Sequence, residues 1–324
     1  MKSKIFWWIV GLCWVGTVAG CGWETAELEV ELLETGFGFT EGPTFDEVGG
    51  AVFFSDQPND VVYRWALPSA EHPRGWVESV AGTQGRANGL AMSADGNLYA
   101  CADGANRLVR WLLDSTGLRQ VKETVLAEGY GGNPLNGPND LWLAPDGSVL
   151  FTDPFYERPY WEKRLRTIES HQGSAEQQHV YRWSARGGVE RAAEGLQKPN
   201  GLVGNRKGTM LWVADAAARK VYRYQLRQPE VGRLLLEERE EVVSSSGSDG
   251  LARDAEERLL FLTRNHVVAV HDSSTGVLLR EIPFPERPSN IVFVGCRLFV
   301  TAETSVYLVS PTGHSLSNLN TLYT

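Results

Sequence analysis

Residues 135–154, LNGPNDLWLAPDGSVLFTDP, are one copy of a degenerate repeat that runs along nearly the whole 324-residue chain. Each copy reads as a polar residue, a small or acidic residue, an apolar run, a turn, and a second apolar run ending in aspartate. That is the pattern of two antiparallel strands and their hairpin. With Asn139 as the reference position, the aligned residues are Glu41, Asn88, Asn200, Asp249 and, with the poorest match, Asn290, so six copies result. Eight residues further on stand Gly49, Gly96, Gly147 and Gly208, with Glu257 in the fifth copy. A turn there needs positive φ, which glycine adopts without a Cβ penalty. Asp56, Asp103, Asp153 and Asp215 recur at the end of the second strand, and a third strand follows as Tyr63-Arg64-Trp65, Val109-Arg110-Trp111, Tyr181-Arg182-Trp183 and Tyr222-Arg223-Tyr224.

A β-rich unit of this length cannot bury both faces alone, and its repetition predicts an all-β fold, a six-bladed β-propeller with four-stranded blades. Equivalent positions of radially repeated blades converge on one axis, however far apart they lie in sequence. The reference residues are therefore expected to meet at one mouth of a central channel. The alternation of Leu28, Val30 and Leu32 with Glu27, Glu29 and Glu31 predicts a half-buried strand within residues 26–39, suited to be the outer strand of the last blade and to close the ring.

The repeat argues for a single domain over residues 27–324, preceded by a leader at 1–20 and a short tether at 21–26. Lys2 and Lys4, the apolar run Ile5 to Val18 and the small residues before Cys21 have the layout of an export signal, too short to span a bilayer. Val18-Ala19-Gly20-Cys21 resembles the lipobox of bacterial lipoproteins, which implies cleavage before Cys21, lipidation of its sulfur and a membrane-anchored exported protein, with Gly22 favouring the outer membrane. An ordinary secretory leader is the alternative. Cys13 would leave with the leader, and Cys101 and Cys296, in strands of blades that are not neighbours, are expected to be buried thiols. Without Lys2 and Lys4 the chain keeps 29 basic against 40 acidic residues, which excludes the basic footprint of a nucleic-acid partner. No feature points to oligomerisation, and a monomer is expected.

Between Pro154 and Gln178 the third copy carries an insertion rich in aromatic and basic residues, among them Tyr156, Arg158, Tyr160, Trp161, Arg164 and His171. Such a loop either covers a binding site or extends away from it. The recurring strand-end aspartates, by their regularity, read as hydrogen-bonding groups rather than as chemistry.

Glu41, Asn139, Asn200 and Asp249, brought together, would form a hard, all-oxygen set with two carboxylates. Such a set suits Ca²⁺ best, then Mg²⁺ or Mn²⁺, whereas Zn²⁺ sites ordinarily contain imidazole or thiolate. No histidine pair has metal spacing, and the chain contains no G-x-S-x-G elbow, no H-E-x-x-H and no phosphate-binding glycine loop.

EGPTFD, ANGLAMSADGNLYACADGANR, LNGPNDLWLAPDGSVLFTDPFY, KPNGL, SDGLARD and RPSNIVF, followed by LFVTAETSVY, resemble in order the motifs of the gluconolactonase and regucalcin family of six-bladed propellers, over about residues 38 to 310. The resemblance implies a lactone hydrolase with a divalent metal, Ca²⁺ foremost and Mg²⁺, Mn²⁺ or Zn²⁺ possible, held by Glu41, Asn200 and Asp249. It implies that Asn139 is a ligand or substrate contact and that Asn88 and Asp140 face the substrate, with Asp103 beside them. Asp249 is the candidate general base. The chain has Cys101-Ala102-Asp103 where many bacterial members read C-E-H, and it lacks the basic residue often found just before Asn136. These departures touch the substrate rather than the metal. The expected partner is a small lactone or ester; the alternatives are a phosphotriester or aryl-ester hydrolase on the same scaffold and a non-catalytic binding propeller.

Overall fold

A computed structural model of the chain describes residues 21–157, 178–230, 233–244 and 247–312. The leader and most of the aromatic and basic insertion, Arg158, Tyr160, Trp161, Arg164 and His171 included, lie outside the described residues. Six four-stranded antiparallel sheets follow one another as the blades of a propeller. Blade one comprises Thr40–Asp46, Ala51–Asp56, Val61–Ala66 and Trp76–Val80. Blade two comprises Ala87–Met92, Asn97–Ala102, Arg107–Leu113 and Gln120–Ala127. Blade three is Leu141–Leu143, Val149–Asp153, His179–Ser184 and Gly188–Ala193. Blade four is Pro199–Gly204, Met210–Asp215 and the long outer pair Lys220–Glu230 and Arg233–Ser244. Blade five is Leu251–Arg253, Leu259–Arg264, Val267–Asp272 and Leu278–Pro283.

Blade six is composite. Pro288–Val294, Arg297–Ala302 and Ser305–Pro311 come from the end of the described chain, and Leu28–Thr35 pairs outside them, Leu28 opposite Pro311 and Thr35 opposite Ser305. The alternating N-terminal strand thus closes the ring, as its period of two suggested.

The second strand of each blade is apolar along its length because successive side chains enter different interfaces. Phe53 packs with Leu98, Val109 and Trp111 of blade two, while its neighbours Val52 and Phe54 pack with Val294, Phe299 and Val306 of blade six. Leu259 and Phe261 likewise face blade six, and Leu260 and Leu262 face blade four. Each such side chain contributes about 1.5–3 kcal/mol by leaving water.

The turn glycines behave as expected in blades two to four, with φ of 77°, 80° and 67° at Gly96, Gly147 and Gly208. In blade one the left-handed residue is Gly50 (φ 58°) rather than Gly49, and in blade five Glu257 itself takes φ 59°. The strand-end aspartates cap the segments before the reference positions. Asp56 accepts the N–H groups of Gly38 and Phe39, Asp153 those of Asn136 and Gly137, and Asp215 those of Gln197 and Lys198, all at 2.8–3.1 Å.

Four expectations are corrected. Gly89, Gly201 and Gly250 donate their N–H to the carbonyl of the next blade's reference residue, at 2.7 Å to Asn139, 2.7 Å to Asp249 and 2.9 Å to Ser289. Ser289 therefore holds the reference position of blade six, and Asn290 is one place beyond it.

Cys21, expected to carry lipid, is bonded to Cys296, expected to be a free thiol; their Cα atoms are 5.4 Å apart. A turn from Gly22 (φ 70°), closed by the N–H groups of Thr25 and Ala26 on the Gly22 carbonyl, carries Cys21 back to blade six. A sulfur in a disulfide cannot also carry a thioether-linked lipid. The bond spans 275 residues, and a loop of that size would restrict the unfolded chain by on the order of 5 kcal/mol in the chain-entropy view. Residues 21–26 are also no free tether: Trp23 is buried in the core of blades five and six, 5.3 Å from Phe261 and 5.7 Å from Phe293 between ring centroids, and Arg280 donates to the Ala26 carbonyl at 2.6 Å. Cys101 is the buried free thiol it was expected to be.

Candidate active site

The reference residues stand at the inner ends of the innermost strands, where the blades are closest. Glu41, Asn88, Asn139, Asn200 and Asp249, from blades one to five, line a single pocket of about 260 Å³. Glu41, Asn88, Asn139 and Asn200 are buried, at 4–5% exposure, and Asp249 is half-buried. A buried carboxylate and three buried amides beside a second, half-buried carboxylate call for a partner with positive charge or many donors.

The proposed oxygen donors are individually anchored. The Glu41 carboxylate accepts the N–H of Gly42 at 3.2 Å. The Asn139 backbone is fixed from both sides, its N–H donating to the Thr152 carbonyl at 2.9 Å and its carbonyl accepting from Gly89 at 2.7 Å. Asp249 is held in the same way by Thr263 and Gly201. The Asn200 amide nitrogen donates to the phenol of Tyr156 at 2.8 Å. Among the described residues no group of three or more His, Cys, Asp or Glu side chains could hold a metal. The donors gathered here are instead two carboxylates and amide oxygens, a mixture that fits a hard cation such as Ca²⁺.

Two residues expected to meet substrate lie elsewhere. Asp103 stands behind the wall: its carboxylate accepts from the Gln57 amide at 2.7 Å, and it is Gln57 that borders the pocket. Asp140 points away, into the lower part of the channel, because side chains of consecutive strand residues diverge. There it accepts the N–H of Leu141 at 2.9 Å and faces the Asn290 amide at 3.4 Å. Burial pushes its carboxyl up to about 7, against the pull of the N–H groups of Leu141 and Leu202 and of Asn290, and with a further upward contribution from Asp249. Burial likewise raises Asp153 to about 7 and holds the Cys101 thiol well above its ordinary range, with Asp140, Asp153 and Asp103 adding to the latter.

Apart from Tyr156, which belongs to the aromatic and basic insertion, the rest of the wall lies outside the motifs that mark the reference positions. Gln57, Ala216 and Asn265 occupy the place sixteen residues after the reference positions of blades one, four and five, in the turn between second and third strands. Tyr156 comes from the matching turn of blade three, and Phe39, Arg264 and Arg287 complete the rim. Extending the repeat by one further offset would have found the first three. Arg264 is paired with Glu281, and Arg287 lies 5.6 Å from the Phe39 ring and 3.8 Å from Glu303.

Residues 39–304 match the model of the SMP-30/gluconolactonase/LRE-like region. A gluconolactonase of Zymomonas mobilis is 30% identical over 206 residues, 61% of this chain and 55% of that protein. The match thus spans about half the length of the curated relative. Among solved structures, a gluconolactonase from Xanthomonas campestris is similar with a TM-score of 0.72 and 26% identity, over 91% of this chain and 92% of that one. A calcium-binding regucalcin from Agrobacterium tumefaciens shares the fold at a TM-score of 0.66 and 19% identity, over 87% of this chain and 93% of that one.

Proposed function

Because the chain belongs to the SMP-30/gluconolactonase/LRE-like family, we propose that it is a hydrolase that opens lactones with a divalent cation bound at the axial pocket. The observation that carries the reading is the meeting of Glu41, Asn139, Asn200 and Asp249, from four different blades, at one pocket. Those four side chains would hold the cation, Ca²⁺ being the best match to an all-oxygen set. When bound, it would polarise the lactone carbonyl and make a neighbouring water more acidic, effects worth several kcal/mol of barrier.

The chain's own groups supply the rest. Asp249 accepts the proton of the attacking water as the new C–O bond forms; the ring C–O bond then breaks, and the proton reaches the departing alkoxide to give a hydroxy acid. Asn88 and Gln57, neutral and able both to donate and to accept, are placed to orient ring hydroxyls. Phe39 and Tyr156 offer apolar surface to the sugar or lactone face. The substrate is a small lactone or ester, with the sugar-acid lactones first in line.

The test is hydrolysis of aldonolactones, other γ- and δ-lactones and aryl esters by protein lacking residues 1–20, with Ca²⁺, Mn²⁺, Zn²⁺ or chelator, beside Asp249→Ala. Lactone turnover that needs the cation and falls at least about 10³-fold in the variant, roughly 4 kcal/mol of barrier, is expected. Turnover that survives both chelation and the substitution would overturn the reading. Metal-dependent thermal stabilisation without turnover on any substrate would favour a binding propeller.

We further propose that the protein is exported. The leader pattern and the Cys21–Cys296 bond both suit an oxidising compartment. The intact mass of the mature chain tests this: loss of the leader and of two hydrogens is expected, and an acylated Cys21 would show that the sulfur is used for anchoring instead.

A further inference from the structure

We propose that Tyr156 is a positioning residue that sets which end of the Asn200 amide faces the pocket, and so controls the affinity of the site for its cation. The inference rests on the metal-dependent reading above, and concerns a residue outside the four oxygen donors. An asparagine side chain presents a cation-binding oxygen and a cation-repelling NH₂ of nearly equal size. Packing alone cannot choose between them, so a hydrogen bond must.

In this structure the Asn200 Nδ2 donates to the Tyr156 phenol oxygen at 2.8 Å, and among the described residues this is the one hydrogen bond of the Asn200 side chain. With Nδ2 engaged by Tyr156, Oδ1 is the end left to meet a cation in the pocket that both residues line with Glu41, Asn139 and Asp249. The opposite orientation would turn two N–H donors toward the place of a cation.

Tyr156 is itself held from two directions. The Lys198 ammonium lies over its ring, 4.5 Å from the centroid, and Lys198 is in turn fixed through its backbone N–H to Asp215 at 2.9 Å. The backbone next to it is pinned where the Phe155 N–H donates to the Gln178 Oε1 at 2.8 Å. A phenol carried on so constrained a segment can act as a fixed acceptor. Groups of this kind, which orient a ligand without touching the metal, commonly change affinity 10- to 100-fold when removed.

The experiment measures Ca²⁺ and Mn²⁺ binding by calorimetry, without substrate, for the protein lacking residues 1–20 and for Tyr156→Phe, Asn200→Asp, the double variant and Asp249→Ala. Tyr156→Phe is expected to weaken cation binding at least about tenfold. A carboxylate has two equivalent oxygens and no orientation to set, so in the Asn200→Asp background the same change is expected to alter binding less than about threefold, a coupling that a double-mutant cycle reads directly. Unchanged affinity in Tyr156→Phe would overturn the inference, and so would an equal loss in both backgrounds, which marks general damage to the wall. In either case binding by the parent that Asp249→Ala abolishes would leave the metal reading standing. No saturable binding by the parent would overturn both.

Discussion

Two rings of residues, one chain position apart, encircle the axis and have opposite tasks. The upper ring is Glu41, Asn88, Asn139, Asn200, Asp249 and Ser289, every one bearing a side-chain oxygen, and the first five border the pocket. The lower ring is Gly42, Gly89, Asp140, Gly201, Gly250 and Asn290. Four of its members are glycine because the next blade's backbone leaves no room. A Cβ on Gly42 would meet the Asn88 carbonyl oxygen at 2.1 Å, on Gly89 that of Asn139 at 2.7 Å, and on Gly201 that of Asp249 at 2.3 Å. The two exceptions face one another across the channel and fill its centre, Asn290 reaching Asp140 at 3.4 Å. One ring thus keeps side chains for chemistry, and the ring beneath gives them up so that the upper one can be drawn together.

If that division is right, the largest loss of stability should come from the lower ring. Gly201→Ala introduces a Cβ against backbone, 2.3 Å from the Asp249 oxygen and 2.9 Å from the Gly250 Cα, with no flexible side chain to move away. A loss of 3 kcal/mol or more, about the upper end for overpacking, is expected in urea denaturation. Gly96→Ala is the control. It has φ of 77° but nothing within 4 Å of the added carbon, so only the backbone conformation is penalised, at about 1 kcal/mol. Equal losses at the two positions would mean that close approach at the axis does not govern the lower ring.

The upper ring was legible in the sequence because a repeated strand-turn-strand puts the same place of every blade on one axis, and the oxygen-bearing residues recur there. The lower ring was only partly so. Asp140 follows Asn139 directly and shares its motif, yet alternation along a strand sends the two side chains to different ends of the channel. Blade six was misread by one residue because it has no glycine after Ser289, and Asn290 imitates the asparagines of the ring above. The resemblance places Asp103 beside the substrate, whereas its carboxylate accepts from Gln57, and it is Gln57 that borders the pocket. The disulfide escaped notice for a different reason. Cys21 sits in a local pattern that reads as a lipid attachment site, and its pairing with Cys296 depends on a turn at Gly22 and on ring closure, neither of which leaves a local signal.

The plug of the lower ring can be tested from its Asn290 side. Asn290→Asp would put two carboxylates in contact where an amide now donates to one. Like charges at this distance cannot both ionise cheaply, and a donor is lost as well. A destabilisation of about 2–3 kcal/mol at pH 8 is expected, shrinking toward pH 5 as one carboxyl takes up a proton. A loss that is the same at both values would show that shape, and not charge, is what the pair contributes.

Asp140→Asn makes the complementary change, and its effect should be tied to pH. The Asp140 carboxyl is raised by burial to about 7, whereas in the unfolded chain it titrates near its ordinary value of about 4. Between those values the folded state holds a proton that the unfolded state has released, so this group lowers stability as pH rises through the window, by at most about 1.4 kcal/mol per pH unit. An asparagine carries no such dependence. In chelator, so that no cation compensates the charge, the variant should gain up to about 3 kcal/mol on the parent between pH 4.5 and 8, with little further change above. A gap that stays constant across the range would place the ionisation elsewhere, and would leave Asp140 a hydrogen-bonding plug that could have been an amide, as its partner in blade six already is.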